Sequence, residues 1–257
     1  MTAELADLLA ITEAALWHGF AVFLRVGAMV ALMPAFGETS VPMRVKLTAI
    51  LAFVFIISPA VTPPELTPTT GNLFWLTLSE TLAGLLLGLG LRMFVFALQT
   101  AGAIAAQSTS LSQILGAAAA EPMPAIGYVL MLGGLALALM AGLHVKAAQM
   151  VILSYDLLPM GRFPSGATLS NWGLGQVRRA FSLAFTLAAP FVILSLLYNL
   201  ALGAINKAMP QLMVAFVGAP VITAGGLFLL CLSAPIILRV WLQALDIFLA
   251  QPFAVPP

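Results

Sequence analysis

Long apolar runs separated by short polar stretches are the dominant pattern of this chain. The runs cover residues 14–36, 47–61, 73–106, 125–145, 180–206 and 208–238. A membrane-spanning helix needs about 20 mainly apolar residues. Five of the six runs meet that length, whereas the second has only 15 residues. The pattern therefore predicts about six hydrophobic segments, one of them short for a span.

These segments are predicted to be helices. Inside a bilayer, only helices and closed barrels satisfy their own backbone groups. Barrel strands alternate apolar and polar residues over about 10 positions, and the runs here do not alternate. We predict an all-α, multi-helix integral membrane protein in which Pro and Gly break several segments. Pro190, Pro220 and Pro235 are expected to interrupt the last two, which form a hairpin around residues 207–210.

Polar stretches between the runs predict loops at residues 37–46, 62–68, 107–124 and 146–179. Loops on the cytoplasmic side of a membrane carry an excess of Lys and Arg. If the segments cross in simple alternation, the two basic loops, 37–46 and 146–179, fall on opposite sides. Either the count of crossings differs, or some segments pack inside a protein assembly without crossing. We therefore expect a non-standard topology.

The composition excludes several classes of protein. Hydrophobic residues make up 62% of the chain and charged residues 7%, against about 45–50% and 25% in soluble domains. Too little charge is present to cover a soluble globule, so lipid or apolar protein is the expected surroundings. A single cysteine, Cys231, excludes an internal disulfide. A net charge of +1 provides no basic patch for nucleic acid.

Three charged residues lie inside the apolar runs, namely Arg25, Glu80 and Arg92. A charge at mid-bilayer costs at least about 2.5–3.5 kcal/mol unless it is paired or functional. Glu80 and Arg92 are about 18 Å apart on one helix, so they cannot pair with each other. Each needs a partner on another helix or another subunit, unless it reaches the membrane surface or relays protons. Gly84 and Gly88 lie between them, at a spacing that permits close helix packing within the chain or between subunits.

Catalytic and metal-binding motifs are absent from the sequence. His18 and His144 lack the spacing of a metal-binding pair, and no nucleophile elbow, Walker loop or dinucleotide-binding fingerprint occurs. Ser154 and Asp156 flank Tyr155 without a neighbouring histidine. We predict a protein that is not an enzyme and that has no cofactor or metal.

Several short sequences nevertheless form a recognisable series. They are residues 25–29 (RVGAM), 34–37 (PAFG), 41–46 (VPMRVK), 142–144 (GLH), 154–161 (SYDLLPMG), Pro190, Gly203, 210–214 (PQLMV) and 218–220 (GAP). Together they resemble, in the same order, the FliR family of flagellar type III export-gate proteins and its injectisome counterparts. Lys207 and Met213 depart from the family pattern, in which arginine and asparagine are expected.

This resemblance implies a structural subunit of a hetero-oligomeric export gate in the bacterial inner membrane, at the flagellar basal body. The implied partners are FliP, FliQ and FlhB, membrane lipid, and the unfolded flagellar proteins that pass through the pore. Residues 1–257 would form one subunit, with an N-terminal part over 1–176 and a C-terminal helical hairpin over 177–257. The alternatives are the equivalent injectisome subunit and a stand-alone secondary transporter.

The resemblance also implies a pore plug in the stretch between the third and fourth segments. The candidate plug residues are Leu111, Ile114, Leu115, Gly116, Ala117, Ala118, Ala119, Ala120, Glu121, Pro122 and Met123. Small residues allow close fitting, and apolar side chains at a constriction can exclude water. The alternative is a simple connection with no gating role.

Overall fold

The computed structural model describes residues 2–63, 69–110, 125–209 and 214–253. The regular structure of these residues consists of seven α-helices and one short 3₁₀ helix. They are α1 (Thr2–Leu32), α2 (Met43–Ile57), the 3₁₀ helix (Ser58–Ala60), α3 (Thr70–Ser110), α4 (Ala125–Met140), α5 (Leu143–Leu157), α6 (Gly166–Ala208) and α7 (Val214–Ala250). The prediction of an all-α protein is confirmed.

The number of helices suited to crossing a membrane also agrees with the sequence. Five helical stretches are long and apolar enough: Thr12–Leu32, Met43–Ala60, Thr70–Ser108, Gly166–Ala208 and Pro220–Ala250. Helices α4 and α5 add a sixth if together they form one broken span. The second stretch reaches 18 residues because α2 begins at Met43, before the apolar run itself, and the 3₁₀ helix continues it to Ala60.

The predicted loop over residues 146–179 is wrong in most of its length. Helix α5 continues to Leu157 and α6 begins at Gly166, so only residues 158–165 connect them. Residues Ala147, Met150, Val151, Ser154 and Tyr155 are buried at the spacing of one helical face. Gln149 and Asp156 are exposed, and such polar residues lower the mean hydropathy of the stretch without preventing a helix.

The main helix break lies at a glycine and not at the prolines. Helix α4 ends at Met140, and Gly142 adopts a left-handed conformation with φ of 80° before α5 begins. That conformation is unfavourable for residues with a Cβ atom. Pro190, Pro220 and Pro235 lie inside α6 and α7. Proline removes one backbone hydrogen-bond donor, but α6 and α7 continue on both sides of each proline.

The chain folds into two compact units, each built from segments distant in sequence. The first comprises residues 1–92, 142–175 and 247–257, and the second comprises residues 93–141 and 176–246. The two parts expected from the resemblance, 1–176 and 177–257, concern the build of the subunit, and that division stays a prediction.

In the first unit, α1 and α3 touch through their backbones. A Cβ atom at Gly84 would overlap the carbonyl oxygen of Arg25. A Cβ atom at Gly88 would lie 2.8 Å from the carbonyl oxygen of Met29. The Gly84–Gly88 spacing is therefore used for close packing within the chain.

In the second unit, a close glycine contact and a buried tryptophan join the helices. A Cβ atom at Gly102 of α3 would overlap Gly127 of α4. Trp241 of α7 is fully buried and its indole N–H donates to the carbonyl oxygen of Phe94 at 2.8 Å. Gly225 of α7 faces Leu194 of α6.

Candidate functional site

The candidate site lies in the first unit, where buried charges occupy the apolar faces of two helices. On α1, Arg25 follows the spacing of Ala21, Val22 and Met29, and all four are fully buried. On α3, Glu80 follows Leu76 by one turn and is also fully buried. The helical period therefore points both charged side chains into the protein.

Arg25 and Glu80 form a salt bridge in which two nitrogens meet two oxygens. Arg25 Nε donates to Glu80 Oε2 at 2.8 Å, and Arg25 Nη2 donates to Glu80 Oε1 at 3.2 Å. This paired geometry is specific to the planar guanidinium group, which a lysine ammonium cannot reproduce.

Helix α5 supplies further contacts to the same guanidinium. Arg25 Nη1 donates to Ser154 Oγ at 3.0 Å, and Ser154 Oγ in turn donates to the carbonyl oxygen of Val151 at 2.6 Å. The guanidinium carbon lies 3.7 Å from the centre of the Tyr155 ring, a cation–π contact. We call Arg25, Glu80, Ser154 and Tyr155 the Arg25–Glu80 centre.

The connecting loop 158–165 completes this centre with its backbone. Arg25 Nη2 donates to the carbonyl oxygen of Leu158 at 2.8 Å. The amide N–H of Gly161 donates to Glu80 Oε1 at 3.1 Å. The carbonyl oxygen of the same residue, Gly161, accepts a hydrogen bond from the indole N–H of Trp75 at 2.8 Å. Trp75 also packs edge-on against Phe163, with ring centroids 4.7 Å apart.

The contribution of a buried ion pair to stability depends on how many of its donors and acceptors are hydrogen-bonded. Desolvation of two buried charges is costly, and the attraction between them offsets it only when other hydrogen bonds complete the shell. Arg25 donates four hydrogen bonds and Glu80 accepts three. Loss of one partner alone would leave an uncompensated charge, at a cost of about 3–5 kcal/mol.

Arg92, the third predicted charge, lies outside this centre. Its Nη1 is 2.5 Å from Glu38 Oε1, and the two side chains are 22% and 19% exposed. The pair joins α3 to the turn that follows α1. The structure thus brings Arg25 and Glu80 together and gives Arg92 a separate, partly exposed partner.

The chemistry of the centre is that of a structural contact. Ser154 accepts a hydrogen bond from an arginine and donates its own proton to a backbone carbonyl. Over residues 2–63, 69–110, 125–209 and 214–253, no group of three or more His, Cys, Asp or Glu side chains is placed to hold a metal ion. Asp156, next to Tyr155 in sequence, faces outward.

The site residues predicted from the sequence did not include Ser154, Tyr155, Gly161 or Trp75. Ser154 and Tyr155 lie on α5, a stretch that the sequence predicts as a loop. Gly161 takes part through its backbone groups, which no sequence motif reveals. The sequence does contain one indication of such partners, because a buried guanidinium needs several hydrogen-bond acceptors. The predicted plug, residues 111–123, falls within 111–124 and so lies outside the described residues.

Sequence comparisons place these features in a family. Residues 16–247 match the family model described as bacterial export proteins, family 1. The matched range includes Arg25, Glu80 and the connecting loop, and it covers most of the chain.

Individual relatives match over similar lengths. The flagellar biosynthetic protein FliR of Caulobacter vibrioides is 35% identical over 235 residues, 88% of this chain and 94% of that protein. The protein of the same name from Escherichia coli is 30% identical over 220 residues, 83% of each chain. That from Bacillus subtilis is 29% identical over 221 residues, 82% of this chain and 85% of its own. The chain therefore belongs to the bacterial export proteins of family 1, the family of these FliR proteins.

Proposed function

We propose that this chain is a structural, pore-forming subunit of the flagellar type III export gate. It assembles in the bacterial inner membrane with FliP and FliQ, adjoins FlhB, and helps to form and close the channel for unfolded flagellar proteins. The observation that carries the proposal is the match to FliR relatives over 94% and 83% of their lengths. The proposed role is not enzymatic and requires no cofactor.

The exposed surface of the C-terminal helices supports an assembled state. Large apolar side chains on α6, including Phe185, Leu196 and Leu200, are at least 60% exposed. On α7, Phe228 and Ile236 are at least 65% exposed. Side chains of this kind need lipid or protein against them. Partner subunits and membrane lipid together would cover these faces.

The stand-alone transporter is the less well supported alternative. Transporters of that kind place polar or charged groups around a solute near mid-membrane. Here Arg25 and Glu80 are engaged by each other and by the backbone, and Arg92 is paired with Glu38. No observation favours the injectisome subunit over the flagellar one.

Co-purification and complementation test the proposal together. The full chain would be expressed alone and with the FliP and FliQ of its own organism, in detergent. We expect aggregation when it is alone and a stable complex when they are present. In a strain lacking its gene, the full chain should restore motility and the secretion of flagellar proteins. A stable monomer that binds neither subunit and restores no motility contradicts the proposal.

A further inference from the structure

The connecting loop 158–165 is held by groups of opposite chemistry at two points of its backbone. Leu158 presents a carbonyl oxygen to Arg25 at 2.8 Å, and Gly161 presents an N–H to Glu80 at 3.1 Å. An arginine only donates hydrogen bonds, and an ionised carboxylate only accepts them. Each charged side chain therefore matches the backbone group that it faces.

We propose that Arg25 and Glu80 are positioning residues that hold loop 158–165 in place, and that the loop dictates which helix carries which charge. A pair that served only to neutralise two buried charges would tolerate exchange of its members. Exchange here would aim a carboxylate at the Leu158 carbonyl and a guanidinium at the Gly161 N–H. Both loop contacts would become repulsive even though the salt bridge itself could form again.

The position of the loop has consequences for the surface around it. Leu158 and Pro164 line a cleft of about 360 Å³, together with Trp172 of α6 and Phe253 near the chain's end. The same loop leads into α6, where Ser165 Oγ accepts a hydrogen bond from the Thr168 N–H at 3.2 Å. Release of the loop from Arg25 and Glu80 would therefore alter both the cleft wall and the start of α6.

Hydrogen–deuterium exchange of the full chain in detergent, read by mass spectrometry, tests this directly. Two double variants are compared with the unmodified protein: the exchange R25E/E80R, and R25M/E80M, which removes both charges while keeping bulky side chains. We expect at least tenfold faster exchange in peptides covering 158–165 of both variants, with peptides from α1 and α3 unchanged. The matched control is R92E/E38R, which exchanges the partly exposed pair and should leave the loop unchanged.

Each other result speaks against the proposal. Wild-type protection of the loop in R25E/E80R would show that the direction of the pair is irrelevant. If that variant unfolds, R25M/E80M decides, since a buried ion pair can be replaced by apolar residues without loss of the fold. Protection of the loop in R25M/E80M overturns the proposal, and so does its unfolding, because a pair that positions one loop is dispensable for the helices. This exchange measurement does not depend on export activity.

Discussion

Replacing Gly84 by alanine tests whether contact between the backbones of α1 and α3 organises the first unit. The added Cβ atom would overlap the Arg25 carbonyl oxygen and lie 2.9 Å from the Ala28 Cβ atom. Ordinary contacts begin at 3.4 Å, so the helices must separate by at least about 0.5 Å, the difference between these distances. Gly19 of α1 is the matched control, because a Cβ atom there has nothing within 4 Å.

The two substitutions differ in one energy term. Alanine is favoured over glycine inside a helix by about 0.8–1.0 kcal/mol, and both variants gain this. Only Gly84→Ala also suffers overpacking, at about 1–3 kcal/mol. The difference between the variants is therefore about 1–3 kcal/mol. At about 2–4 °C per kcal/mol for a chain near this size, Gly84→Ala should melt about 2–12 °C below Gly19→Ala.

Circular dichroism of the two variants, heated in the same detergent, measures this difference. The unmodified protein should melt below Gly19→Ala and above Gly84→Ala if overpacking exceeds the gain in helix propensity. Equal melting temperatures for the two variants would refute the inferred backbone contact between α1 and α3.

Three further changes give contrasting expectations. Gly102→Ala should lower the melting temperature more than Gly127→Ala, because a Cβ atom at Gly102 overlaps its neighbour whereas one at Gly127 lies 3.5 Å away; equal effects in the same melting assay would contradict this. Glu38→Gln should cost less than about 1 kcal/mol in denaturant unfolding, because its pair with Arg92 is partly exposed, and a loss of 3 kcal/mol would contradict it. Deleting residues 112–120 should raise ion conductance through the reconstituted gate complex, and unchanged conductance would contradict the plug prediction.

Much of the fold could be predicted because lipid imposes simple demands. Five long apolar runs and the all-helical character follow from length and backbone satisfaction alone. Helix α5 could not be found this way, since the polar residues Lys146, Gln149 and Asp156 interrupt its apolar sequence. The break at Gly142 was likewise hidden, because proline is the stronger signal in the sequence and the three prolines in apolar runs lie elsewhere, in α6 and α7.

The site was less predictable than the fold. Charge inside apolar runs singled out Arg25 and Glu80 because such residues are costly in a membrane. Their partners could not be derived, since two of them are backbone groups of Leu158 and Gly161. A backbone N–H or C=O is present at almost every residue, so only the folded arrangement of the helices selects one.

Several side chains in the described part of the chain complete backbone groups at or beyond the ends of helices. His18 contacts the carbonyl oxygen of Ser58 at 2.8 Å, where α2 ends. The indole N–H of Trp172 donates to the carbonyl oxygen of Pro252, just beyond α7, as that of Trp75 does to Gly161. Irregular backbone in apolar surroundings is stable only when it is buried in protein and hydrogen-bonded. In a chain with 7% charged residues, these three side chains fix irregular backbone where helices end, and substitutions at His18, Trp75 and Trp172 should disturb the turns before the helices.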